Sequence, residues 1–281
     1  MTEALKKKVD RAIKLLKAAE KKAAEVGQPV EVCYSGGKDS DVILELARMA
    51  GIKYRAIYKN TTIDPPGTIS HVREMGVEMV RPKLSFRELI EKHGWPSRRV
   101  RFCCSELKEY KILDYAVVGI RADESAKRRQ RYKEPEICRV YNAREKTRQY
   151  LPILDWTLDD VTEFLQERGI RCAPVYYDEE GRFHPERRLG CLCCPMANRR
   201  HRIREFEKYP RMVKMYLGGG RYRYEHTLVK NKRYFHNVYE WFVCYLFCDS
   251  IREFRERFGP NLFNGGVDCK EFLENYFKIE L

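Results

Sequence analysis

The sequence predicts an α/β protein: a doubly wound, mostly parallel sheet with a helical C-terminal region. Three observations carry this. Short β-rich runs alternate with helical stretches through the first half of the chain. One of them, Val30-Glu-Val-Cys-Tyr34, opens into a glycine turn and then a helix, the start of a nucleotide-binding α/β unit. A length of 281 residues with 43% hydrophobic content suits one such domain plus an appendage, and excludes wholesale disorder.

The elements follow in order. From Thr2 to Val26, Leu5, Val9, Ala12, Leu16, Ala19 and Ala23 recur at spacings of four and three, leaving lysines on the other face. That is a helix packed on the following domain or, less simply, a dimer contact; Gly27-Gln-Pro29 ends it. After the first strand, Val42, Leu44, Leu46 and Met49 mark a helix from Asp41 to Met49. Further strands are expected at Tyr54–Tyr58, Val77–Val80 and Tyr115–Ile120, with helices around Ile69–Met75, Phe86–Lys92 and Ser105–Leu113. Thr157 reads as the N-cap of a helix whose Val161, Phe164 and Leu165 face inward. Beyond Ala197 the chain is rich in Arg, Tyr and Phe and looks helical, with a break at Gly218-Gly-Gly220. The expected organisation is an N-terminal helix (1–27), an α/β domain (28–196) and a basic helical region (197–281).

With 55 Lys and Arg against 41 Asp and Glu, the net charge of +14 points to an anionic partner: a nucleotide, a nucleic acid or a membrane surface. The longest apolar runs, such as Trp241–Phe247, are too short to span a bilayer, and the charged start lacks the apolar core of a signal peptide. The expected compartment is the cytoplasm, which keeps thiols reduced, so the 11 cysteines do not form a disulfide framework. Two clusters, Cys103-Cys104 and Cys191-Leu-Cys193-Cys194, point instead to metal binding or redox chemistry.

Ser35-Gly36-Gly37-Lys38-Asp39-Ser40 is the most informative stretch. Its glycines allow close backbone approach, so successive N–H groups can face phosphate oxygens, and the following helix adds its N-terminal partial charge. Lys38 supplies a full positive charge, Ser35 and Ser40 supply hydroxyls, and Asp39 can place a metal ion such as Mg2+ or cap the helix. An ordinary capped glycine turn is the plain alternative. The spacing is not that of the Walker A loop. The hexapeptide resembles the SGGxDS loop of the PP-loop superfamily, whose members have an adenine nucleotide alpha hydrolase-like fold. That resemblance implies ATP bound by its pyrophosphate and an adenylated substrate, with Lys38 and Asp39 in catalytic roles.

A second resemblance covers Val30 to Met196. Cys103-Cys104 with Lys108, Gly119-Ile-Arg121-Ala-Asp-Glu124-Ser125, Leu151-Pro-Ile-Leu-Asp155-Trp156-Thr157 and Gly190-Cys191-Leu-Cys-Cys194 appear in the order of the corresponding segments of phosphoadenosine phosphosulfate (PAPS) and adenylylsulfate (APS) reductases. Asn60-Thr61-Thr62 with Pro66 and Thr68 fits a further segment. The resemblance implies that Ser35 to Ser40, Thr61 and Arg121 bind ATP or an adenylyl sulfate. It also implies that Cys103, Cys104, Cys191 and Cys194 hold a 4Fe-4S cluster beside it, four thiolates being the usual ligands. Zinc is the rival metal. Cys193 is either a substitute ligand or a free thiol, whereas Cys33, Cys138, Cys172, Cys244 and Cys248 read as packing.

The reductases carry a nucleophilic cysteine in a C-terminal Glu-Cys-Gly-x-His stretch, whereas this chain has Asp268-Cys269-Lys-Glu in an apparent helix. Cys269 therefore reads as packing. Superfamily branches that thiolate tRNA or make phosphorothioate DNA lack that tail, so adenylation-coupled sulfur transfer onto a nucleic acid is the expected chemistry. Sulfite production with Cys269 or Cys193 as nucleophile is the first alternative; a nucleic-acid-binding module with a structural cluster is the second. The basic runs Lys127–Arg131, Arg199–Arg204, Arg221–Tyr224 and Lys230–Tyr234 suit a nucleotide's phosphates or a single strand, or are simply solvated faces.

Overall fold

A computed structural model describes residues 1–141, 145–227, 230–260 and 265–281. The chain begins with α1 (Glu3–Glu25), which buries all six apolar positions of its stripe and is capped by the Thr2 side chain. Then follow β1 (Val30–Tyr34), α2 (Lys38–Ala50), β2 (Tyr54–Lys59), α3 (Thr68–Glu74) and β3 (Glu78–Val80). After α4 (Phe86–His93) and α5 (Phe102–Leu107) come β4 (Tyr115–Val118), α6 (Ala126–Arg131), the hairpin β5 (Glu136–Tyr141) and β6 (Glu145–Tyr150), and α7 (Leu158–Glu167). Helices α8 (Arg199–Lys208), α9 (Pro210–His226), α10 (Val238–Phe247), α11 (Ile251–Phe258) and α12 (Cys269–Phe277) complete it.

The residues group into two compact units: Met1–Pro82 with Leu107–Gly190, and Lys83–Glu106 with Cys191–Leu281. Chain order alone leaves Lys83–Glu106 with the sheet; its contacts group it with the C-terminal helices. In the first unit the strand order is β3-β2-β1-β4-β6-β5, all neighbours parallel except the antiparallel β5–β6 pair. The mostly parallel α/β sheet is thus as the sequence predicts. Helices α1 and α2 pack on β1 and β4, and their apolar faces build the core with Val30, Val32 and Val117. Strand order reverses between β1 and β4, so their carboxyl ends diverge and leave the crevice where such sheets bind ligands.

Several expectations need correction. The helix expected through Leu113 stops at Leu107. The chain beyond it bonds to the sheet instead: Leu113 N–H donates to Glu31 at 3.2 Å and Lys59 Nζ donates to the Tyr110 carbonyl at 2.6 Å. The β5–β6 hairpin carries no apolar run to mark it, five of its twelve strand residues being charged; it closes the sheet's edge with pairs such as Arg148–Glu136. Gly218-Gly-Gly220 does not break α9. A Cβ on Gly219 would lie 2.9 Å from Ile90 Cγ2, and one on Gly220 would lie 2.4 Å from Trp95 Cζ2, so these glycines let α4 and the Trp95 ring approach the helix. In this second unit Phe206, Tyr216 and Phe242 are fully buried, and the Trp95 indole N–H donates to the Tyr216 carbonyl at 2.9 Å.

Candidate nucleotide and thiol sites

The turn after β1 and the first turn of α2 open into a cavity of about 430 Å³ within the first unit. Ser35, Gly37, Lys38, Asp39 and Ser40 line one side. Gly36 sits at φ +78°, a left-handed conformation that glycine adopts without strain. The Ser40 hydroxyl donates to the Gly37 carbonyl at 2.6 Å, and the Ser40 and Asp41 N–H groups also bond to that carbonyl, which closes the helix end. Gly119, just past β4, approaches closely: a Cβ there would lie 2.9 Å from the Asp39 carbonyl oxygen. Gly119→Ala is therefore expected to push the loop out of position and weaken nucleotide binding by about tenfold or more, which titration calorimetry with ATP would register.

Lys38 is 5% exposed, with its ammonium 3.2 Å from Asp39 Oδ2 and 5.4 Å from the centre of the Tyr176 ring. The other Asp39 oxygen takes Arg121 Nε at 2.6 Å, and Arg121 also reaches Asp123 at 3.3 Å. Asp39 therefore holds two cations rather than standing open toward a metal ion. Arg121 is buried behind Asp39 and is absent from the cavity wall, as are Gly36 and Thr61. Thr61 is buried; its N–H donates to Asp64 and its hydroxyl accepts the Ile63 N–H. Of the nucleotide residues expected from sequence, five line the cavity directly, Gly36 and Arg121 adjoin them through the loop and Asp39, and Thr61 is not among the lining residues.

Local pattern could not supply the rest of the wall. Arg188 donates to the Glu124 carbonyl at 3.0 Å, and the Glu124 carboxylate pairs with Arg128. Lys59, Lys108, Arg128 and Arg188 join Lys38 as wall cations. Glu31, 2% exposed on β1, lies 3.7 Å from Lys59 Nζ and accepts the Cys33 thiol at 3.4 Å. Burial, then Glu31, pushes the Cys33 thiol well up, so it is no thiolate. The only sequence signal for this floor is a Glu inside an otherwise apolar strand.

The four expected ligand cysteines all belong to the second unit. Cys103 and Cys104 lie on α5, while Cys191 and Cys194 flank a sharp turn in which Cys193 has φ +55°. A hydrogen bond to Cys104, burial, and charge at Cys104, Cys191 and Cys194 together push the Cys103 thiol far up. Cys103 and Cys194 are therefore each within electrostatic reach of the other three thiols. Among the described residues no group of three or more His, Cys, Asp or Glu side chains closes to metal-ligand geometry. Cys193 points elsewhere: it is fully buried, its N–H donates to Glu205 at 2.9 Å and its carbonyl accepts the Tyr216 hydroxyl. Cys269, the first residue of α12, is 3% exposed and pushed up to about 12 by burial, then by Glu240 and Asp268.

Residues 29–197 match the phosphoadenosine phosphosulfate reductase domain. The chain belongs to that family. The domain match takes in the loop cavity and all four clustered thiols. An uncharacterized protein of Methanocaldococcus jannaschii is 27% identical over 202 residues, covering 67% of this chain and 46% of its own length. Sulfate adenylyltransferase subunit 2 of Rhizobium tropici is 27% identical over 192 residues, 56% of this chain and 60% of that protein. The chain thus spans about half the length of these relatives. The PAPS reductase structure from Candida auris aligns with a TM-score of 0.41 at 17% identity, covering 62% of this chain and 90% of that one. Among the described residues no helix is long and apolar enough to cross a membrane.

Proposed function

We propose that this PP-loop protein is a cytoplasmic enzyme that binds ATP or an adenylyl-sulfate nucleotide in the loop cavity and uses adenylation to drive sulfur transfer onto a nucleic acid. The single observation that carries the nucleotide reading is the loop cavity, where a glycine turn, a helix N-terminus and five cations face one space. In this reading the loop N–H groups and the Lys38 ammonium take up charge on the leaving group, pyrophosphate from ATP or sulfate from an adenylyl sulfate, and a sulfide-level sulfur then displaces AMP from the adenylated acceptor. Asp39 is a positioning residue: bridging Lys38 and Arg121, it fixes the ammonium against the buried Tyr176 ring. Because both Asp39 oxygens are engaged by cations, it does not fit a magnesium ligand, and no step is routed through that ion.

The thiol set fits an iron–sulfur cluster in its chemistry. Cys103, through its hydrogen bond to Cys104 and burial, and Cys194, through burial, are held up as thiols, a penalty that a bound cation removes by taking them as thiolates. Cys103, Cys104, Cys191 and Cys194 would hold it; when bound, the cluster supplies an iron site able to carry sulfur or electrons. Anaerobic reconstitution with iron and sulfide is expected to give visible absorption, and Cys103→Ser with Cys194→Ser to lose most of the bound iron. Stoichiometric zinc without colour would replace the cluster with a structural zinc site.

The acceptor class rests on charge. The second unit carries 23 Lys and Arg against 14 Asp and Glu, a net +9 of the chain's +14. Among the described residues Arg99, Arg101, Arg200 and Arg204, which flank the two cysteine segments, have no acid within 4.0 Å. Unpaired arginines suit a phosphate backbone. In the Lys230–Tyr234 run, the side chains of Lys230 and Asn231 lie outside the described residues. The sulfite-forming alternative finds no support in Cys269 or Cys193, both buried as thiols. The deciding experiment incubates anaerobically prepared protein with ATP or adenylyl sulfate, with and without RNA or DNA. Acceptor-dependent release of pyrophosphate from ATP, or of sulfate from adenylyl sulfate, supports the proposal, and sulfite production overturns it.

A further inference from the structure

The first turn of α2 treats one of its N–H groups unusually. The N-cap Gly37 offers no side chain, and the Ser40 and Asp41 N–H groups fold back onto the Gly37 carbonyl. The Lys38 N–H instead donates to the Tyr176 hydroxyl at 3.3 Å. That hydroxyl is the partner which the Lys38 N–H would otherwise lack at the start of the helix. The phenol is 2% exposed, and a Cβ on Gly37 would lie 3.2 Å from its hydroxyl oxygen. A backbone N–H at a helix N-terminus, with an ammonium alongside, is what an anionic phosphate oxygen binds to. All these groups border the loop cavity.

Tyr176 also ties down the segment that ends in Leu189, since its carbonyl accepts the His184 N–H at 2.7 Å. Arg187 donates to the Tyr177 carbonyl at 2.7 Å, and Arg188 reaches Glu124 across the cavity wall. Tyr176 is therefore the point at which this arginine-bearing strap is fastened to the glycine loop.

We propose that the Tyr176 hydroxyl holds the place of a phosphate oxygen, so that a pyrophosphate-bearing ligand binds by displacing it and taking over the Lys38 N–H group. The inference rests on the nucleotide reading of the loop but not on the sulfur chemistry. It makes Tyr176 a specificity-determining residue: a ligand must bring an anionic oxygen able to replace that hydrogen bond, which pyrophosphate and ATP have and adenosine lacks.

The test is Tyr176→Phe in the full chain, which keeps the ring over Lys38 and removes only the hydroxyl. The variant leaves the buried Lys38 N–H unpaired in the free protein, and ligand restores its partner. Its thermal midpoint without ligand should fall, while its affinity for inorganic pyrophosphate and for ATP should rise by about 2- to 10-fold, the worth of one hydrogen bond. Adenosine affinity should not change. Lower or equal pyrophosphate affinity in the variant would show a merely structural tyrosine and overturn the inference. Failure of the parent protein to bind either pyrophosphate or ATP would overturn the nucleotide reading along with it. Tighter binding without any turnover would leave the inference standing and remove only the adenylation chemistry.

Discussion

Lys38→Met is expected to lower pyrophosphate release from ATP by about 10²- to 10³-fold while leaving the fold intact. The effect is large because this ammonium is buried at the loop, where a charge meets less screening than at the surface. The stability effect is small for a local reason. Methionine keeps the stem against the Tyr176 ring, and Asp39, deprived of one cation, retains Arg121 at 2.6 Å. Lys59 and Lys108 line the same cavity. Lys59→Met serves as the control: its ammonium is already engaged by Glu31 and the Tyr110 carbonyl, so it should cost less in turnover and more in stability. Steady-state kinetics beside thermal melts separate the two. Full turnover in Lys38→Met would mean that the loop's backbone N–H groups suffice, and Lys38 would lose its catalytic role.

The contrast between these lysines shows what sequence made legible. Ser35 to Ser40 could be read directly because the chemistry of a glycine loop is local: strand, turn, charge and helix lie within ten residues. The helix α1 and the cap at Thr157 were legible for the same reason, through spacing and a single hydrogen-bonding side chain. Lys59, Glu31, Tyr176 and Arg188 were not, since each reaches the cavity only through strand order or a returning strap. The charged β5–β6 hairpin lacks an apolar run, and residues after Leu107 bond to Glu31 and Lys59 instead of continuing a helix. Cysteine clustering suggested a common site but gave Cys193 no fate. Its positive φ and burial beneath Tyr216 are properties of the fold.

The glycine run in α9 gives the largest stability prediction, because there the sequence signal pointed the wrong way. Three glycines ordinarily weaken a helix by about 1 kcal/mol each, yet α9 runs unbroken from Pro210 to His226. The compensation is the Trp95 ring, which packs on Trp241, Phe242 and Tyr245 with centroids 4.2, 5.1 and 5.2 Å away. Trp95→Ala should cost about 3–5 kcal/mol. Gly220→Ala gains helix propensity, but its Cβ meets an indole that is itself hydrogen-bonded to the Tyr216 carbonyl and has no room to move. Overpacking of this kind should cost a net of about 1–3 kcal/mol. In the double variant the clash disappears with the indole, and only the propensity gain of Ala over Gly remains at residue 220. The double variant should therefore be more stable than Trp95→Ala alone, a reversal of sign that urea unfolding of the three variants would measure. Additive losses would show that Gly220 is small for some reason other than the approach of Trp95.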